Sequence, residues 1–161
     1  MMKTRLMTSL GCLGLVLLFS GANAAEQAQP WDGPIETLAT AGYENGVNSG
    51  LSPMTESEEF RCAVAWDVWH SAYAGKYMPP AIEDALPYPL KDVTTASTRE
   101  AWQKAVAKNK GTSPMLALIA IIEKTSTRER YQDQVVSGLR GDKAKLFRIT
   151  SFLGTCANPP M

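Results

Sequence analysis

His70 is the one histidine in a chain of 161 residues, and Asp67 stands three positions before it. On a helix that spacing brings two side chains together, and a carboxylate beside an imidazole can orient it as a general base. Asp67 and His70 are therefore the candidate catalytic residues. A hydrolase built on them also needs a nucleophile in a recognisable setting, and none is legible. The chain has no Gly-x-Ser-x-Gly elbow, no phosphate-cradling glycine motif and no His-Glu-x-x-His zinc motif. The imidazole has a second possible use, as a ligand to noncovalent haem opposite Met54, Met78 or Met115. No Cys-x-x-Cys-His attachment motif accompanies it, and methionines at helical spacing ordinarily fill cores. No cofactor is expected and, with a single histidine, no metal site. Glu83 and Asp84 are sequence neighbours that point apart on a helical turn, so they do not make a carboxylate pair.

Cysteine chemistry depends on compartment. Lys3 and Arg5 precede the apolar run Leu10–Phe19, and Ala22-Asn23-Ala24 supplies the small residues a signal peptidase needs. Residues 1–24 are expected to be a cleaved export signal, with the working chain starting at Ala25. The apolar run is about ten residues, half of what a membrane span requires. Cys12 lies inside this run rather than after it, which argues against a lipoprotein anchor. Cys62 and Cys156 then remain as one pair in an oxidising space, and a disulfide is expected. Their wide separation is unlike a redox Cys-x-x-Cys. Closing so long a loop restricts the unfolded chain by about 4–5 kcal/mol.

Charge narrows the partners. The chain carries 16 basic and 16 acidic residues. Loss of the leader removes Lys3 and Arg5, leaving 14 against 16 and a formal charge of −2. A nearly neutral protein has no field to gather phosphate backbones or anionic lipid, so nucleic acid is not an expected partner. The most apolar stretch beyond the leader, Met115–Ile122, is eight residues long, too short for a span. What remains is the size of one domain, long enough to bury its own core.

The elements that must position these side chains are helices with legible starts. Thr55-Glu56-Ser57-Glu58 reads as a capping box, in which a hydroxyl and a carboxylate satisfy each other's orphan amides. The helix it opens is expected to run to about Gly75, with Cys62, Trp66, Trp69, Tyr73 and Tyr77 on one stripe and Asp67 and Ser71 roughly opposite. Ser97-Thr98-Arg99-Glu100 is a second box, opening a helix through Trp102, Ala105 and Val106 that Gly111 would end. Ser113-Pro114, a cap followed by proline, launches Met115–Ile122 as a central buried helix, although its isoleucines also suit a strand. Ser126-Thr127-Arg128-Glu129 is a third box, starting a helix through Tyr131, Val135 and Leu139. Gly141 closes it, and Asp142 caps a last helix bearing Leu146, Ile149, Leu153 and Cys156. Those two roles also explain why Arg140-Gly141-Asp142 spells an adhesion tripeptide by accident.

Residues 25–53 are expected to be loosely ordered. One short helix follows Pro34 through Ile35, Leu38 and Ala41, and Asn45-Gly46, Gly50 and Pro53 read as turns. Residues 54–161 make the helical core. Within it Met78–Ala96, with four prolines, reads as a loop near nineteen residues holding one helical turn at Ile82–Leu86; loops of that length are often functional. Tyr77 and Tyr88 bracket it and, with Pro79 and Pro80, form the expected partner-binding surface. Tyrosine supplies contact area at small rotamer cost, and proline stiffens the backbone beforehand. The expected fold is all-α: a single-domain irregular bundle of about five helices with one proline-rich loop, fastened by Cys62–Cys156. The expected function is non-enzymatic, an exported interaction protein, periplasmic or secreted, that meets an unidentified protein or envelope component. The alternatives are a helical carrier of an apolar ligand or noncovalent haem, and a small hydrolase using His70 and Asp67.

Overall fold

The structure, a computed structural model, describes residues 29–108 and 114–160, without the side chains of Asp92 and of residues 114–123. The leader of residues 1–24, the Gly111 stop and the Ser113 cap lie outside the described residues. Six α-helices and one 3₁₀ turn follow one another, with no strand among the described residues: α1 (Ile35–Asn48), α2 (Glu56–Ala74), α3 (Pro80–Ala85), the turn Tyr88–Leu90, α4 (Asp92–Lys108), α5 (Pro114–Leu139) and α6 (Lys143–Thr155). α1 lies along α6, α4 lies along α2, and α5 packs against both α2 and α6. The expected all-α fold and its disulfide are present.

α2 begins where its capping box places it. The Thr55 hydroxyl accepts from the Glu58 amide at 3.2 Å, and the Glu58 carboxylate accepts from the Thr55 amide at 3.0 Å. Cys62, Trp66 and Trp69 form its buried side, each 1% exposed or less. Cys62 is bonded to Cys156, with 5.5 Å between their Cα atoms, so the middle of α2 is joined to the end of α6. The carbonyl of Cys156 accepts two indole N–H groups, from Trp66 at 3.0 Å and from Trp102 at 2.9 Å. Three helices therefore meet at one buried backbone oxygen. The α5–α6 corner is a Schellman motif: the Asp142 amide donates to the Ser137 carbonyl and the Gly141 amide to the Gly138 carbonyl. Gly141 has a φ of +119°, and Asp142 caps α6 by accepting from the Lys145 amide at 3.0 Å.

Other boundaries differ from those expected. α4 begins at Asp92, not Ser97. Thr95 is fully buried in its first turns, and Ser97 donates its hydroxyl to the Thr94 carbonyl at 2.9 Å instead of capping. α5 is one helix of 26 residues that passes through the third box without a break. No glycine or proline stands between Pro114 and Gly138, and the local residues are adequate helix formers, so nothing forces a second start. Met115–Ile122 is helical, as favoured, while its burial lies outside the described side chains. The nineteen-residue loop is instead α3, the 3₁₀ turn and the start of α4. It is pinned by Met78, Ile82, Leu86 and Leu90, all buried. α1 is a full helix of fourteen residues that supplies Leu38, Ala39 and Tyr43 to the core. Asn45-Gly46 lies within it and makes no turn. Gly46 is needed because α1 and α6 touch backbone to backbone: a Cβ on Gly46 would sit 2.8 Å from the Gly154 Cα, and one on Gly42 would sit 2.7 Å from the Phe147 carbonyl oxygen.

Candidate functional site

His70 and Asp67 share α2 but are claimed by different neighbours. The Asp67 carboxylate is bonded to the Arg128 guanidinium of α5, an ion pair with both side chains partly buried. The His70 Nδ1 lies 3.1 Å from the Thr95 hydroxyl of α4. Thr95 is fully buried and sits between the two helices. One helical turn further along α4, the Arg99 Nε is buried with no hydrogen-bond partner among the described residues. The geometry makes this a polar seam between α2, α4 and α5. The sequence does not point to Thr95 and Arg128 as the partners, because Thr95 falls in the proline-rich stretch and Arg128 inside a capping-box pattern. Met78, one of the three possible haem ligands, is 6% exposed in the core, and Met54 is 85% exposed at the far end of α2. The side chain of Met115 lies outside the described residues.

The aromatic stripe resolves into two populations. Trp66, Trp69 and Trp102 are fully buried, and every indole N–H is spent on a backbone carbonyl, Trp69 on Leu90 at 3.1 Å. Tyr73 is half-buried and donates its hydroxyl to the Glu83 carboxylate at 2.9 Å. Tyr77 is not on the stripe: α2 ends at Ala74 and the chain turns away. That turn is another Schellman motif, in which the Tyr77 amide donates to the Ala72 carbonyl and the Lys76 amide to the Tyr73 carbonyl. Lys76 occupies the left-handed position with a φ of 55°. A non-glycine residue there is strained, and the two hydrogen bonds of the motif hold it in place.

Beyond that turn the proline-rich segment folds as a strap across α2 and α1. Pro79 and Pro87 have the extended backbone that leads into a helical turn, and Pro80 and Pro89 stand just inside those turns. Three polar bonds anchor it: Trp69 to Leu90, Tyr73 to Glu83, and the Thr40 hydroxyl to the Ala85 carbonyl at 2.7 Å. Its apolar side chains point inward. Tyr77, Tyr88 and Val93 do not: they are 75%, 73% and 78% exposed. Tyr77 at the turn, Tyr88 on the strap and Val93 at the start of α4 thus stand in solvent around a segment anchored from Glu83 to Leu90. Such a surface can provide contact area without the entropy cost of ordering a loop. Among the described residues no group of His, Cys, Asp and Glu is placed to hold a metal ion, and no helix is long and apolar enough to cross a membrane. Nothing among protein-family models, curated proteins or solved structures matches this chain.

Proposed function

We propose that this chain is an exported, non-enzymatic binding protein that grips a partner protein through the strap bearing Tyr77 and Tyr88. The observation that carries this reading is the division of the strap into a buried apolar half and an outward aromatic half. Tyr77, Tyr88 and Val93 give a partner three large side chains to cover within one stretch of chain. Export rests on the leader pattern of residues 1–24 and agrees with the Cys62–Cys156 bond. The carrier reading loses support because the three tryptophans fill the core and have their N–H groups satisfied. The hydrolase reading loses support because the Asp67 carboxylate pairs with Arg128 while the His70 Nδ1 faces the Thr95 hydroxyl.

The test is affinity capture from the envelope fraction with tagged, oxidised protein, run beside the Tyr77→Ser/Tyr88→Ser double variant. Both tyrosines are exposed, so the variant should keep its helical circular dichroism. A protein retained by the wild type and released by the variant is the expected result. Capture that survives the double change, or no capture by either form, would sink the proposal. Amino-terminal sequencing of the exported protein should begin at Ala25; an intact leader would remove the export half of the reading.

A further inference from the structure

A second feature of the surface stands apart from the strap. Trp31, just ahead of α1, leans on Phe147 of α6 with ring centroids 6.3 Å apart and planes at 59°. The Arg148 guanidinium lies 5.4 Å from the centre of the Trp31 ring. Trp31, Phe147, Arg148, Ser151, Phe152 and Thr155 enclose an open groove of about 280 Å³. Its floor continues beneath the surface, since Phe152 stacks on Tyr131 of α5 at 5.4 Å, and the Arg130 guanidinium lies 5.1 Å from that ring. The Tyr131 phenol is pushed up by its burial and drawn back by the charge of Arg130.

Three properties of the groove define what fits it. The first is charge: neither Arg148 nor Arg130 has a carboxylate within ion-pair distance among the described residues, in a chain whose acidic residues are as numerous as its basic ones. Arg130 also hydrogen-bonds the Tyr131 phenol, whereas Arg148 is exposed and its guanidinium can take a carboxylate at the groove's edge. The second is shape. A space of this size is at the lower limit of ligand pockets and suits one large apolar side chain rather than an engulfed molecule. The third is fixity. Asn45 of α1 donates to the Ser151 hydroxyl at 2.9 Å, and Phe147 is 8% exposed. A membrane-inserting surface would instead project its aromatic rings, and this chain lacks the net positive charge that draws proteins to anionic lipid.

We infer that the groove between Trp31 and α6 binds an acidic peptide segment of a partner protein, seating an aromatic or leucine side chain between Trp31 and Phe152 while a neighbouring carboxylate meets Arg148. This site is independent of the tyrosine strap, and its partner need not be the same protein.

Random heptapeptides displayed on phage are panned against purified, oxidised protein, with Arg148→Glu as the counter-selection. Arg148 is exposed, so the variant should keep the wild-type circular dichroism. The expected enriched sequences place Asp or Glu close to Phe, Trp or Leu. A synthetic peptide of the enriched sequence should bind Arg148→Glu at least about ten-fold more weakly than wild type, and wild-type binding should weaken as salt rises. Arg148→Lys should recover part of the loss. The Tyr77→Ser/Tyr88→Ser variant should bind the peptide as wild type does, so failure at the groove and failure at the strap are told apart. No enrichment over the counter-selection, enriched peptides without acidic residues, or an unchanged affinity in Arg148→Glu would each overturn the inference. So would Arg148-dependent binding to phosphatidylglycerol vesicles by a protein that selects no peptide.

Discussion

Trp69 shows how one side chain can serve two elements. Its ring fills the core beneath α2, and its N–H holds the carbonyl of Leu90, which fixes the 3₁₀ turn of the strap. Trp69→Ala should cost about 3–5 kcal/mol in urea unfolding through the cavity it leaves, and the orphaned carbonyl adds to it. A loss near zero would mean that the ring does not pack as described. Lys76 is the opposite case, a residue held against its preference. A left-handed backbone costs a non-glycine residue roughly 1–2 kcal/mol, and glycine gives part of that back through its freer unfolded chain. Lys76→Gly should therefore stabilise the protein by about 0.5–1 kcal/mol, seen as a higher urea midpoint. At this scale the fully buried indoles of Trp66 and Trp69 were legible from their spacing. The partners of His70 and Asp67 were not, because Thr95 and Arg128 come from helices that no local pattern places beside α2.

Helix starts separate a motif from its use. Thr55 and Ser97 each begin the same four-residue pattern, yet only Thr55 caps a helix. Thr55→Ala should lose about 1 kcal/mol. Ser97→Ala should be neutral or slightly stabilising, because alanine is the better residue inside a helix. Equal losses at the two sites would restore Ser97 as a cap. The capping box also carries a pH signature. Glu58 titrates below the ordinary 4.5, first through the Met54 amide that it accepts from, then through the Thr55 side chain and amide. Its folded value lies below its unfolded one, so its contribution is complete above the unfolded value and fades as pH falls through the folded one. The urea midpoints of wild type and Glu58→Gln should therefore differ at neutral pH and converge in acid. A gap that persists in acid would mean that the carboxylate's charge plays no part. The strap shows why elements outran their signals. Prolines mark interruptions, but buried Met78, Ile82, Leu86 and Leu90 supply enough apolar contact to order the segment between them.

The whole molecule rests on two close approaches, the Cys62–Cys156 bond and the α1–α6 seam at Gly42, Gly46 and Gly154. Gly46→Ala should destabilise by at least about 1–3 kcal/mol, since the new methyl meets backbone that cannot yield. An unchanged thermal midpoint would show that the helices can part without loss. The same substitution in an exposed helix would be favourable by about 1 kcal/mol, so the sign of the effect reports the seam. By itself the sequence determined the helical class, the α2 and α6 caps, the Gly141 stop and the cysteine pairing. These follow from local hydrogen bonding, from apolar spacing, or, for Cys62 and Cys156, from the expectation that Cys12 leaves with the leader. Only the tertiary structure decided that Asn45-Gly46 is a contact and not a turn, that the proline-rich segment is an ordered strap, and that Trp31 meets α6. Each of those depends on which backbone lies within a few ångströms of which, and residues far apart in the chain set that distance.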